Sequence, residues 1–350
     1  MTKETTDNIL YFYYIMMNKW KELAIETISS SNVNKSSSTE NRSDKILKEC
    51  ANELGIKVEE LVDGAYELKS GNVTRRIKGS ASLEITFANW LCGNKYATFE
   101  ILRKNGFHHL PHYQRYSFDT IKEAREDFLK RNRAVVIKPC SRTSGGLAVT
   151  VNIQTIKDLN RAIFISLRHD DRYLMEDFIE GDDFRLLFFK DRMLDAIQRI
   201  PAHVKGDGAS NMRDLIGIEN ERRAKEPGTY RLHPILLDNE VKQTLLNMKI
   251  SLNYVPAKDE IVYVKTTCNY HAGTRDIAAL VHPEIMRECQ KIMKIMDITI
   301  GGIDIITKDI KKPLAETGGV INEVNTCAAL FIHNKAAIRN LLNLMFENNN

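Results

Sequence analysis

The spacing of apolar residues changes several times along the chain and predicts a mixture of helices and short strands. From residue 134 the pattern is β-rich, and between residues 172 and 200 three short apolar runs separated by turn residues indicate an antiparallel sheet. Two further strand-like runs lie between residues 301 and 326, whereas residues 226–259 show no clear period and predict loop with some helix. Residues 46–68 predict a helix followed by a strand, a helical stretch ends near residue 168, and helical spacing also occurs near residues 96–105, 210–224, 283–296 and 334–347. The pattern therefore predicts an α+β protein.

A polar, serine-rich stretch near the N-terminus marks a boundary. Residues 29–45 lack periodicity, which is typical of a linker or an exposed loop. The preceding apolar segment, residues 9–17, is too short to span a bilayer and lacks the features of a signal peptide. We therefore expect a cytoplasmic protein with no membrane segment. The aromatic side chains of this first segment suit a helix, a packing strand or a subunit contact, so a homodimer is left open.

Composition narrows the class of protein further. The 350 residues, 43% hydrophobic and 27% charged, are enough for two or three globular lobes. With 50 basic and 46 acidic residues the net charge is only +4, which argues against a dedicated nucleic-acid binder. The six cysteines show no metal-ligand spacing, so we expect a reduced compartment, no disulfides and no structural zinc.

Three polar residues interrupt the last two strand-like runs. Asp304 lies in "GGIDIIT", and Glu323 and Asn325 lie at positions i and i+2 of "VINEVNT", so the last two share one face of their strand. Buried carboxylates require a partner, and hard oxygen ligands of this kind suit Mg²⁺. The alternative is a surface strand with solvated acids.

A second candidate region follows the strand "VVIKP". Lys138 ends this strand, and the loop after it, Ser141 to Gly146, is rich in serine, threonine and glycine. Backbone N–H groups of such a loop can hold phosphates, with the lysine as a point charge. A β-hairpin with a flexible tip is the alternative. The Walker pattern is missing, which argues against a P-loop fold.

Two more stretches carry candidate polar groups. "LMEDFIEGDDFR", residues 174–185, places several acids where one could accept hydrogen bonds from ribose, although a charged turn between strands would look the same. Arg199 ends a strand in "QRIPAHVKGDG" and suits bidentate contact with a carboxylate or phosphate, or a structural salt bridge. His203 and His271 are expected to be structural histidines.

Taken in order, these stretches resemble the ATP-grasp superfamily, most closely the ATP-grasp region of cyanophycin synthetases and more distantly glutathione synthetases. The resemblance covers residues 66–346, and eight ordered matches are more specific than any single one. The matching segments are "YELKSGNVTRRIKGSAS", "NKYATFEILRKNGF", "VVIKP", "YLMEDFIEGDDFRLL", "QRIPAHVKGDG", "HPE", "GGIDIITKDIKKPL" and "GGVINEVNT".

The resemblance implies a fold of two α+β lobes that hold ATP, preceded by a smaller α/β region. The implied division is an N-terminal segment and linker at 1–45, an α/β region at 46–133, a small lobe at 134–180 and a large lobe with the metal site at 181–350. Cyanophycin synthetases carry further modules, so this chain is not expected to perform a two-step polymerisation alone.

The resemblance also assigns roles to individual residues. Arg185 and Arg199 match arginines near the reacting acyl group, and Asp304, Glu323 and Asn325 match the ligands of Mg²⁺. The implied ATP contacts are Lys95 and Lys138 with the phosphates, the loop with Ser141, Ser144, Gly145 and Gly146 over them, Glu176, Asp177 and Ile179 along the adenine, and Asp183 on the ribose.

Two segments depart from the family pattern. The Pro-Gly that usually follows the metal-binding asparagine is replaced in "NTCAALFIHN", where only His333 matches, and the acceptor-side loop reads "TTCNYHAGTRD". These changes concern the substrates rather than ATP. We therefore expect an ATP- and Mg²⁺-dependent carboxylate–amine ligase that forms an amide through an acyl phosphate, acting on amino acids or short peptides. An ATP-grasp kinase and a non-catalytic ATP-binding scaffold are the alternatives.

Overall fold

The structure is a computed structural model that describes residues 42–62, 65–78, 86–141, 146–225, 232–266, 268, 273–326 and 328–347. Ser144 and Gly145 of the predicted phosphate loop, His271, and the segment before residue 42 lie outside the described residues. Among the residues described, no helix is both long and apolar enough to cross a membrane.

The first described elements form a small α/β unit. Helix α1 (Arg42–Glu53) precedes strands β1 (Lys57–Val62), β2 (Ala65–Ser70) and β3 (Val73–Lys78), which pair antiparallel in that order. Ile46 and Leu47 of α1 are buried in a core shared with the last helix of the chain. The two ends of the described chain therefore pack together.

Two short helices lead from this unit towards the larger sheets. They are α2 (Thr86–Cys92) and α3 (Lys95–Lys104). Asn94 caps α3, because its side chain accepts a hydrogen bond from the backbone of Ala97 at 3.0 Å. The sequence predicts this helix at residues 96–105, and it begins one residue earlier, at Lys95, directly after the cap.

The second sheet has four antiparallel strands in the order β4-β7-β5-β6. They are β4 (Tyr113–Ser117), β5 (Val135–Pro139), β6 (Thr150–Ile153) and β7 (Arg172–Asp177), accompanied by α4 (Ile121–Arg131) and α5 (Ile156–Leu167). Side chains from both helices, including Phe128 and Ile163, share one core with the strands. The sheet thus includes β4, which lies before the domain boundary expected at residue 133.

The third sheet has five antiparallel strands in the order β12-β9-β8-β13-β14. They are β8 (Asp182–Phe189), β9 (Arg192–Ile200), β12 (Gly273–Asp276), β13 (Ile300–Thr307) and β14 (Val320–Asn325). Along β8, Phe184 and Leu186 pack on the side of α8 (Pro283–Ile295), whereas Leu187 packs on the side of α10 (Lys335–Glu347). Since both faces are covered, the strand is almost continuously apolar. A single helical turn, α9 (Leu314–Thr317), precedes β14.

Strand β7 corrects one expectation from the sequence. The runs at β7, β8 and β9 were predicted to form one antiparallel sheet, but β7 lies in the four-stranded sheet and β8 and β9 lie in the five-stranded one. The chain changes sheets at Gly181, where an added Cβ would be only 2.6 Å from the backbone of Thr307. Glycine permits this close approach of the two backbones. The change of sheet leaves no signature in the apolar pattern of the sequence.

A small inserted module occupies the chain between β9 and β12. This module (residues 201–265) contains β10 (His203–Lys205) paired with β11 (Ile261–Tyr263), together with α6 (Met212–Lys225) and α7 (Asn239–Asn247). It has a core of its own around Val204, Val262 and Met212. Helix α7 lies in the stretch for which the sequence predicted only loop with some helix.

Candidate active site

The polar residues singled out in the sequence lie in one row across the five-stranded sheet. In the strand register, Arg199 is opposite Asp183 and Arg185 is opposite Asp304, which is in turn opposite Glu323. Directly paired residues share a face, and so do residues two apart on one strand. The register therefore places these side chains, with Asn325, on the same face of the sheet.

Asp304 is the centre of this row. Its carboxylate accepts hydrogen bonds from Nε and Nη2 of Arg185 at 2.6 and 2.7 Å, and from Nη2 of Arg199 at 3.0 Å. Burial of Asp304 opposes its ionisation, but the two guanidinium groups outweigh that cost and hold its pKa below the usual range. The carboxylate is therefore charged, and its two guanidinium partners compensate for its burial in this strand.

Arg199 joins Asp304 to a second acid. Its Nε donates to Oδ1 of Asp183 at 2.7 Å. Burial, with repulsion from Asp304, raises the pKa of Asp183 to about 6 in spite of Arg199. Burial disfavours the charged form of Arg199, yet Asp183 and Asp304 raise its pKa overall. Asp183 is thus committed to an arginine, and its predicted contact with ribose stays a prediction.

The opposite end of the row meets Lys95. Its Nζ lies 3.0 Å from Oε1 of Glu323. Lys95 is the first residue of α3, and its backbone N–H donates to the carbonyl of Cys140 at 2.9 Å, which fixes the start of the helix beside β5. Burial opposes ionisation of Glu323, but the charge of Lys95 lowers its pKa overall.

The four-stranded sheet contributes a buried ion pair of its own. Nζ of Lys138 on β5 is 2.8 Å from Oε1 of Glu176 on β7, and both side chains are about 95% or more buried. Burial raises the pKa of Glu176, with the charge of Glu323 acting in the same direction and Lys138 and Lys95 acting against it. Both members of the Lys95–Glu323 pair thus act on the same carboxylate, Glu176, in opposite directions.

The described residues of the site are balanced in charge. Four carboxylates face four cationic side chains: Asp183, Asp304, Glu323 and Glu176 with Arg199, Arg185, Lys95 and Lys138. They come from both large sheets and from α3. Such a set can surround a group that carries both negative charge and bound cations.

Whether the three predicted metal ligands suit Mg²⁺ depends on the donor atoms they offer. Asp304, Glu323 and Asn325 offer two carboxylates and an amide, all with oxygen donors that suit Mg²⁺. The side-chain nitrogen of Asn325 is buried and has no hydrogen-bond partner among the described residues, and amide nitrogen and oxygen can exchange places by rotation of the group. In the described part of the chain, no group of three or more histidine, cysteine, aspartate or glutamate side chains is arranged to hold a metal. The trio supplies suitable oxygen donors, but Asp304 and Glu323 are paired with arginine and lysine side chains in this structure, so Mg²⁺ would have to replace those pairs.

Two of the predicted adenine contacts lie at the connection between the large sheets. The carboxylate of Asp177 accepts from Arg131 at 2.8 Å and from Arg133 at 3.0 Å, so its side chain is already committed. Ile179 is half-buried on the connection that runs to Gly181. Any contact of this region with a base would therefore involve Ile179 or the backbone.

The predicted phosphate loop is anchored at its first residue. Both the backbone N–H and the hydroxyl of Ser141 donate to Oδ2 of Asp170, at 2.7 and 2.8 Å. Gly146, at the other end, has a positive φ of 76° that favours glycine. Sequence reasoning missed Asp170, because it lies 29 residues from Ser141 and outside every motif.

A buried dyad beside the row, on the same face of the sheet, was also missed. Asp195 on β9 accepts from Nδ1 of His333 at 2.9 Å, and from the side chain of Asn334 at 3.1 Å. Burial lowers the pKa of His333, and its buried Nε2 has no partner within the part of the chain that the structure describes. His333 had been noted in the sequence, but its acid is 138 residues away and only the fold joins them.

Comparisons with known proteins agree with the fold described above. The bifunctional glutathione synthetase from Pasteurella multocida superposes over 88% of this chain and 44% of its own, with a TM-score of 0.62 and 24% identity. Cyanophycin synthetase from a Synechocystis strain is 32% identical over 221 residues, which are 62% of this chain and 25% of that protein. The chain has the ATP-grasp fold.

A second curated relative matches slightly more of this chain than cyanophycin synthetase does. The glutathione biosynthesis bifunctional protein GshAB of Pasteurella multocida is 28% identical over 253 residues, 70% of this chain and 32% of that protein. No family model matches the chain. The chain spans only about a quarter to a third of the length of these two curated relatives. Its activity therefore has to be argued from its own site.

Proposed function

We propose that this ATP-grasp protein is an ATP-dependent ligase that joins a carboxylate to an amine. Support comes from the balanced row of charges between the two large sheets, which is the single observation that carries the proposal. A second source of support is the similarity to cyanophycin synthetase and GshAB, whose names describe synthesis. The substrates we propose are amino acids or short peptides.

The proposed reaction has two steps. The substrate carboxylate attacks the γ-phosphorus of ATP, which forms an acyl phosphate and releases ADP. The amine then attacks the acyl carbon, phosphate leaves, and the amine gives up a proton as the amide forms. Positioning and charge neutralisation carry such a reaction, so no nucleophile from the protein is required.

Each part of the site has a role in this reaction. Lys95 and Lys138 would neutralise phosphate oxygens, since each is a compact cation held in place by one carboxylate. Arg185 and Arg199 would face the acyl group, where negative charge develops. Asp304, Glu323 and Asn325 would hold Mg²⁺, which supplies charge neutralisation for the phosphates when bound.

The test is ADP release from Mg-ATP with amino acids, dipeptides and polyamines, offered singly and in pairs. Mass spectrometry of each positive mixture should show a product lighter by one water than the sum of the two substrates. A product that is instead heavier by one phosphoryl group would identify a kinase. ATP binding without any substrate-dependent ADP release would favour a scaffold and contradict the ligase proposal.

A further inference from the structure

The face that carries the row of charges continues to one edge of the five-stranded sheet. Thr274 on β12 is opposite Arg199 in the strand register, and Asp276 is opposite Ile197, which is itself opposite Arg185. Directly paired residues share a face of the sheet. Thr274 and Asp276 therefore lie on the same face of the same sheet as the two arginines.

Strand β12 leaves this part of the face open to solvent. It is at one end of the strand order, and in the described part of the chain no strand pairs with its outer edge. Both Thr274 and Asp276 are exposed. Arg275, between them, belongs to the opposite face, where its guanidinium donates to Gln198. The edge beside Arg199 is accordingly accessible to a small molecule.

The charge of Asp276 is not compensated within the described residues. Its Oδ1 accepts a hydrogen bond from the backbone N–H of Ala278 at 3.0 Å, and no described cation forms an ion pair with its carboxylate. By contrast, each of the four site carboxylates described above has a cationic partner. Asp276 can therefore pair with a cation that comes from solution.

The position of Asp276 places it at the substrate end of the row. Lys95, a proposed phosphate contact, pairs with Glu323 on β14, and β14 is the strand at the opposite edge of the sheet. Arg199, which is proposed to face the acyl group, lies on β9 directly beside β12. A ligand at Asp276 would therefore be part of the group that reacts with the acyl phosphate, and that group is the amine.

The spacing from Arg199 sets the length of this amine. Asp276 is two residues along β12 from the direct partner of Arg199, and such diagonal neighbours lie about 7–8 Å apart. An amine that reacts beside Arg199 would reach Asp276 only through a second cationic group at a similar distance. The two amino groups of lysine are joined by a chain of comparable length.

From this geometry we propose that Asp276 binds the second cationic group of a diamino substrate. One amino group attacks the acyl phosphate beside Arg199, and the other pairs with Asp276 at the edge of β12. Lysine, ornithine and short diamines belong to this class of substrate. The inference rests on the proposed ligase function and adds the charge and the length of the amine.

Calorimetric titration in the presence of Mg²⁺ and a non-hydrolysable ATP analogue tests this contact. The probes are lysine-amide and norleucine-amide, which share the α-amino group and the chain length but differ in the terminal charge. We expect lysine-amide to bind about five-fold more tightly, as an exposed ion pair allows. Equal Kd values for the two, or no binding of either, would overturn the proposal.

Variants connect the preference to the carboxylate of Asp276. Asp276→Asn keeps an oxygen for the N–H of Ala278 and removes the charge, so the two Kd values should become equal at an unchanged thermal midpoint. Asp276→Lys should reverse the preference, because it places a cation at the same position. Asp191→Asn, on the exposed turn between β8 and β9, is the matched control and should keep the preference. A full preference in the Asp276→Asn variant would show that this contact is wrong.

The outcomes for this contact and for the ligase proposal can be told apart. Amide formation with the same kcat/KM for lysine-amide and norleucine-amide would overturn the contact alone. A binding preference that depends on Asp276, without ADP release from any pair of substrates, would support the contact and contradict the ligase.

Discussion

At the scale of single residues, Asp304 shows how this strand tolerates an acid. Both of its oxygens are held by guanidinium groups, and the acid opposite, Glu323, is held by an ammonium group. Burial of a paired carboxylate costs free energy because both charges lose their hydration. Removal of one partner costs more, because the other charge is then buried without compensation. Substitutions in the row should therefore be as close in shape as the side chain allows.

Glu323→Gln is the first such substitution. It keeps the shape and one oxygen, but removes the charge that would hold Mg²⁺, so turnover should fall about 100-fold or more while the fold is retained. Steady-state ADP release at saturating Mg-ATP, with circular dichroism as the check on folding, measures this. Glu316→Gln is the control, since Glu316 is exposed on α9. Near-normal turnover of the Glu323 variant would show that the metal assignment is wrong.

Arg199 requires a comparison of two variants. Arg199→Ala leaves Asp183 and Asp304 short of a buried partner and should cost stability, by about 3–5 kcal/mol. Arg199→Lys keeps the charge and loses the bidentate geometry. For the lysine variant we expect ligation to fall at least ten-fold with little change in ATP affinity. A parallel loss of rate and ATP affinity would instead place Arg199 on the nucleotide.

How far such residues can be predicted depends on whether their partners are local. Glu323 and Asn325 could be placed on one face because a strand has a period of two, and the structure confirms that register. The partners of Asp177 could not be predicted, since Arg131 and Arg133 approach from another helix and turn. Which acid pairs with which base depends on the order of the strands in the sheet. The local spacing of apolar and polar residues does not predict that order.

At the scale of elements, the Asp195–His333 dyad joins the central sheet to α10. Asp195 also accepts from the backbone N–H of Asn334, the residue whose side chain caps α10 through Ala337 at 2.8 Å. One buried acid on β9 thus fixes the chain between the predicted metal ligands and the final helix. The helix itself was predictable from its period, but its attachment point was not.

Asp195→Asn tests this attachment. The amide can accept at one oxygen only and places an NH₂ group against donors, so we expect stability to fall by about 2 kcal/mol. The midpoint of urea unfolding measures the effect, and hydrogen exchange of α10 should show it most strongly. Asp191→Asn, on the exposed turn between β8 and β9, is the control. An unchanged midpoint would mean that Asp195 does not hold α10.

At the scale of the whole molecule, the site exists only because two sheets meet. Lys138 and Glu176 come from the four-stranded sheet, and Asp304 and Glu323 come from the five-stranded one. The change of sheet at Gly181 makes this possible. The sequence predicted two lobes through family resemblance, but assigned β7 and β8 to one sheet, because both are short apolar strands separated by a charged turn.

A ligand that contacts both sheets should stabilise the whole protein. Mg-ATP at 100 times its Kd contributes about 2.7 kcal/mol to stability, which raises the thermal midpoint by several degrees. Lys138→Met should remove most of this shift, while Lys157→Met, at an exposed position of α5, should keep it. Thermal unfolding with and without Mg-ATP gives the answer. Equal shifts in both variants would show that Lys138 does not contact the nucleotide.

The most direct test of the central claim follows oxygen from the substrate acid. Once ADP release has identified a pair of substrates, the acid is supplied with ¹⁸O in its carboxylate and the released phosphate is examined by mass spectrometry. An acyl phosphate transfers one carboxylate oxygen to phosphate, so the account predicts one ¹⁸O atom in each phosphate formed. Unlabelled phosphate, formed alongside the amide, would contradict it.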